Sequence, residues 1–109
     1  LSGKITNNSV FPPGDHRSAW LKEERLNSIM KRVDRINEVS NIELIDLSKK
    51  FILSNKKINK VIFGIKSIQH IDSILQIESL LTLNKDIEIK LIELYNEDFG
   101  LINQKHLAL

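Results

Sequence analysis

Gly64, Lys66, Ser67 and His70 are the residues whose types and spacing most directly suggest chemistry. Gly64 permits close backbone approach or a positive φ. Lys66 and Ser67 follow at what reads as the start of a helix. There a cation, a hydroxyl and unsatisfied N–H groups meet the positive end of a helix dipole. That combination suits a phosphate. The plainer alternative is a Ser67 that only caps the helix, a solvated Lys66 and a surface His70. Lys4 and Arg17 are a second pair of cations on a polar loop. An arginine fork can donate two hydrogen bonds to phosphate oxygens, although two freely solvated side chains are the commoner arrangement.

Other groupings are weaker. Asp15, His16 and Ser18 contain the residue types of a nucleophilic triad. They are nearly adjacent on a loop and lack the strand–turn–helix elbow that such chemistry uses. His70 with Asp72, or His16 with His70, provides too few ligands for a metal and no recognised spacing. Trp20 beside Lys22 and Arg25 has the types that stack a nucleic-acid base. A lone Trp ahead of an amphipathic helix is more often a packing anchor. Tyr95 is the single tyrosine and Cys is absent, so disulfides, thiolate metal sites and Cys nucleophiles are excluded.

The elements that would position these groups follow from breakers and periodicity. Residues 1–19 read as loop, being rich in Asn7, Asn8, Ser9, Pro12, Pro13, Gly14 and Asp15. Over 20–39, Leu26, Ile29, Met30, Val33 and Ile36 form one apolar stripe at helical spacing. Ser40 and Glu43 match a capping box and predict a second helix from Ser40 to about Ser54, with Leu44, Ile45, Leu47, Phe51 and Ile52 as its stripe. Residues 60–64, Lys-Val-Ile-Phe-Gly, are the one good strand candidate, a continuous β-branched and aromatic run suited to burial on both faces. Ser67 predicts the cap of a third helix, ending near Leu80 and Leu81, and Asn84 that of a fourth; 99–109 is a tail.

The 109 residues suit one domain, and 16 basic against 14 acidic side chains leave a net charge of only +2. A strongly electrostatic nucleic-acid or membrane binder would carry a larger basic excess, so neither partner is expected. No apolar run approaches the roughly 20 residues that span a bilayer, and nothing requires an oxidising compartment. A cytoplasmic location is the expectation. A strand buried on both faces needs partners on both edges, because its N–H and C=O groups must be paired. This sequence supplies no second convincing strand. Loop, helix, helix, strand, helix, helix therefore reads as the end of an α/β fold, and the opening Leu1-Ser2-Gly3-Lys4 reads as the interior of a longer sequence.

Three stretches in order resemble the C-terminal part of an aldo-keto reductase. Leu1-Ser2-Gly3-Lys4 is similar to the family's L-[ST]-G-K loop, and Phe11-Pro12-Pro13-Gly14-Asp15-His16-Arg17 is similar to its F-P-x-x-D-x-R run. Residues 40–54 resemble the following helix, and 60–74 resemble the v-x-s-v-I-x-G-[AT]-[KRS]-[SN]-x-x-q-l-x-E-N segment. The likeness covers nearly the whole chain. It implies a fragment of a (β/α)8 TIM barrel, mostly helical, with 61–63 as the eighth strand. It further implies NADP as cofactor, with Lys66 and Ser67 on the adenosine 2′-phosphate, His70 against the adenine, and Lys4 and Arg17 around the pyrophosphate. The sequence departs from the family at Ser73 and Ile74, where Glu-Asn is usual.

The resemblance thus implies part of an NADP-dependent oxidoreductase that reduces a carbonyl of a small aldehyde, ketone or keto-sugar. This segment would supply the cofactor phosphate-binding wall. The family's acid Tyr and its Lys, Asp and His partners come from the first half of the barrel, so no catalytic residue is assigned here. The alternatives are a small helical protein-interaction module, and a reductase relative that has lost cofactor binding.

Overall fold

The computed structural model describes residues 4–76 and 82–101. Five helices follow one another: α1 Arg17–Trp20, α2 Glu23–Val39, α3 Leu44–Ser54, α4 Ile68–Leu75 and α5 Lys85–Asn96. A tight turn over Asp98–Gly100 closes the described chain. Leu80, Leu81, and 102–109 of the expected tail lie outside the described residues.

The apolar stripe of α2 faces inward as its periodicity dictates. Leu26 is buried and Ile29, Met30, Val33 and Ile36 are half-buried, while Glu23, Glu24, Lys31, Asp34 and Arg35 are exposed. Glu23 and Glu24 in its first turn favour the positive end of its dipole. This face packs against α5. Arg32 on α2 reaches the turn after α5, donating to Asp98 Oδ1 at 3.2 Å. Its guanidinium also lies 5.9 Å from the centre of the Phe99 ring. Asp98 and Phe99 both have left-handed backbone, φ 49° and 57°, so those Arg32 contacts hold a turn that non-glycine residues disfavour.

Caps differ in how far the sequence predicts them. Ser67 Oγ accepts from the His70 N–H, and Asn84 Oδ1 accepts from the Asp86 N–H, as helix-start residues should. The Ser40/Glu43 capping box does not form. Ser40 Oγ instead accepts from the Ile42 N–H at 3.1 Å, which holds 40–43 in a turn and delays α3 to Leu44. The expected first loop also contains one helical turn, α1.

The expectation of a TIM-barrel fragment with a parallel-type strand over 60–64 is not met. Among the described residues there is no strand, and all the regular structure is helical. Residues 58–66 run without regular structure, and no backbone–backbone hydrogen bond joins 59–65 to the described chain. Ile62 is 97% exposed. The physical reason is that a strand is a property of a pair: β-branched composition favours an extended chain, but only a neighbouring segment completes a ladder.

The core is small. Leu21, Leu26, Leu47, Leu83 and Leu94 are the buried apolar side chains among the described residues, and Leu47 is the most deeply placed at 1% exposure.

Candidate functional site

The extended segment 61–64 lies across one flank of the helices and forms one side of a cleft of about 330 Å³. Ile45, Ser48, Lys49 and Ile52 of α3 form another side, and His70, Ser73 and Ile74 of α4 a third. Lys4 reaches the cleft from the first loop. The positions on α3 are spaced i, i+3, i+4 and i+7, so one helical face lines the site.

Lys4 and His70 are 66 residues apart, and Lys4 Nζ lies 3.2 Å from His70 Nε2. The other ring nitrogen, Nδ1, accepts from the Lys66 backbone N–H at 3.3 Å. A neutral imidazole has one acceptor nitrogen and one N–H. Lys4 donates to Nε2 when that nitrogen is the unprotonated one, and Nε2 carries the proton when Nδ1 accepts from Lys66. The α4 N-terminus lies beside this pair, and its cap Ser67 is already engaged with the His70 N–H at 3.3 Å. Gly64 has no left-handed φ, and a Cβ there would meet nothing within 4 Å, so this backbone does not demand glycine. Its absent side chain leaves the cleft wall open.

Arg17 is elsewhere. It grips Asp15, with Nε 3.0 Å from Oδ1 and Nη2 2.6 Å from Oδ2, and its backbone N–H donates to Oδ1 at 2.9 Å. Its guanidinium lies 4.7 Å from the centre of the Phe11 ring. The Arg17 side-chain hydrogen bonds, and then its backbone N–H, hold the Asp15 carboxyl well below the usual carboxylate range. The structure therefore brings Lys4, Gly64, Lys66, Ser67 and His70 to one region and leaves Arg17 committed to its own loop.

The remaining groupings resolve into packing. His16 Nδ1 is 3.8 Å from Asp15 Oδ1, while Ser18 Oγ donates to the Asp15 carbonyl at 2.7 Å, so no His–Ser relay forms. His16 stacks on Trp20 with ring centres 6.3 Å apart, and Arg25 covers that indole at 5.2 Å. Among the described residues no three His, Asp or Glu gather as a metal site. None of the helices there is long and apolar enough to cross a membrane. Tyr95, edge-on to Phe99, is exposed on α5 and does not line the cleft.

Lys49 is the site residue that sequence reasoning missed. It is 9% exposed, a buried cation in the wall of the cleft. The signal was available: Lys49 falls on the α3 face shared by Ile45 and Ile52, where an ordinary solvated lysine does not belong. A second, apolar groove of about 400 Å³ lies between α3 and α5, with Leu44, Phe51, Leu91, Tyr95 and Phe99 among its walls. Comparisons with known protein families, with curated proteins and with solved structures found no match.

Proposed function

We propose that this chain contributes the cofactor-phosphate wall of an NADP-dependent oxidoreductase of aldo-keto reductase type, acting on a small aldehyde, ketone or keto-sugar. The observation that supports it is the approach of Lys4 Nζ to His70 Nε2 at 3.2 Å, beside the α4 N-terminus. An anionic oxygen bound beside this pair would accept from the Lys4 ammonium. The helical fold does not carry this reading; the convergence of Lys4, Lys66, Ser67 and His70 does. In this arrangement Lys66 and Ser67 flank a 2′-phosphate at the helix N-terminus. Lys4 and His70 close on the anion from the cleft side, and Ile45, Ile52 and Phe63 offer apolar surface to a planar base. The acid that protonates a reduced carbonyl belongs to another part of the protein.

The test is the binding of adenosine 2′,5′-bisphosphate and adenosine 5′-monophosphate to the 109-residue chain, followed by calorimetry or by amide resonance shifts. The expected result is tighter binding of the 2′-phosphorylated nucleotide. Lys66→Ala should weaken it by about 1–3 kcal/mol, as for a lost charge-assisted hydrogen bond, and leave the monophosphate unchanged. Equal affinity for the two nucleotides overturns the reading. The apolar groove between α3 and α5 favours a second one, a small helical protein-interaction module, under which neither nucleotide binds.

A further inference from the structure

Each N–H of the Lys49 ammonium has one acceptor, and all three acceptors lie at long range. Its ammonium lies 3.4 Å from Asp46 Oδ1, 3.3 Å from the Ser73 carbonyl and 3.4 Å from Ser73 Oγ. A well-made ammonium–carboxylate hydrogen bond is about 2.7–2.9 Å, so all three contacts are loose. The side chain is nevertheless 10% exposed, against 35% for Asp46. A buried cation costs free energy unless a well-placed anion offsets it. Its neighbours in the cleft, Ile45, Ile52 and Ile74, show that an apolar residue fits this wall. The cleft itself is lined by Lys4, Lys49 and His70 and by no carboxylate.

We propose that Lys49 is the inner anchor of this cleft, exchanging its long contact to Asp46 for an anionic oxygen of an organic phosphate whose apolar or aromatic body rests on Ile45, Ile52 and Phe63. Ser73 positions it: its carbonyl and hydroxyl hold the ammonium at the α3–α4 seam. The inference deepens the reading of the cleft as a nucleotide-phosphate site and rests on it for the adenosine body, but not for the anion.

The experiment titrates the full chain with inorganic phosphate, adenosine 5′-monophosphate and adenosine 2′,5′-bisphosphate, for the parent and for Lys49→Met, Lys49→Gln and Lys49→Arg. Lys49→Met is expected to keep its helical circular dichroism and to lose about tenfold or more in affinity for both nucleotides. Lys49→Arg should recover most of it. In the parent chain, the Lys49 Hε–Cε resonance should shift on adding each phosphate, a readout that no variant needs to fold for. Unchanged affinity in Lys49→Met and Lys49→Gln, or a Lys49 resonance that ignores phosphate, makes the residue a brace between α3 and α4 and overturns the proposal. A Lys49-dependent affinity that is the same for both nucleotides keeps the anchor and removes the 2′-phosphate reading. A 2′-phosphate preference untouched by Lys49→Met does the reverse, and no binding of any phosphate removes both.

Discussion

Ile62→Asp separates the structure from what the sequence pattern suggests. In the sequence, Ile62 is the centre of the best strand candidate, and an interior strand buries it. Full burial of an isoleucine side chain is worth about 1.5–3 kcal/mol, and placing an unpaired carboxylate there costs several more. In the structure Ile62 is 97% exposed, so only a few hundredths of its surface leave water. The apolar term at stake is then about 0.1 kcal/mol. Substitution should fall within the roughly ±0.5 kcal/mol of ordinary surface changes. The assay is urea denaturation of the isolated chain followed by helical circular dichroism, comparing midpoint and slope for the parent and Ile62→Asp. Superimposable curves are expected. A loss above about 2 kcal/mol would show that Ile62 is sheltered when the chain folds, and would refute the account of 59–65 as unpaired main chain.

Leu47→Ala should behave oppositely. Leu47 is 1% exposed but borders the groove between α3 and α5, which gives the cavity room to collapse, so about 2–3 kcal/mol is expected in the same assay, the lower part of the range for Leu to Ala. Asp15 supplies a pH dependence. Arg17 lowers its folded-state pKa, so its contribution is fully present above the usual carboxylate range and is lost as the pH falls below it. The stability difference between the parent and Asp15→Asn should therefore shrink as the solution is acidified through that range, and a difference that stays constant with pH contradicts the Asp15–Arg17 geometry.

How much of this was legible depends on how local the cause is. The stripe Leu26, Ile29, Met30, Val33, Ile36 requires only helical periodicity, and α2 follows it. Ser67 and Asn84 cap because the groups they satisfy are two or three residues away. Ser40 shows the limit of such reasoning: the same hydroxyl has two local acceptor roles, and the N–H of Ile42 took it before a helix could start. Residues 60–64 fail for the opposite reason, since strand formation depends on a segment far away in sequence or on another molecule. Within the site, Lys66, Ser67 and His70 are contiguous and readable. Arg17 was diverted by Asp15 two residues before it, a D-x-R spacing that permits the grip seen here. Lys49 is hard to read from sequence because lysine on a helix is usually solvated, although its place between Ile45 and Ile52 marks it.

The small core and the open cleft belong to one physical situation. Ile62, Ile68 and Leu75 are each more than half exposed, and five apolar side chains are buried among the described residues. A chain with so little buried apolar surface sits close to its stability threshold. Whatever binds its folded form alone then stabilises it by RT ln(1 + [L]/Kd), about 2.7 kcal/mol at a ligand concentration one hundred times Kd. That is comparable to the loss expected for Leu47→Ala. An anion held between Lys4, Lys49 and His70 would join the first loop, α3 and α4, three parts of the chain that meet through the long contacts at Lys4–His70 and Lys49–Ser73. An anion bound there would couple occupancy of the cleft to order in the α3–α4 half of the molecule.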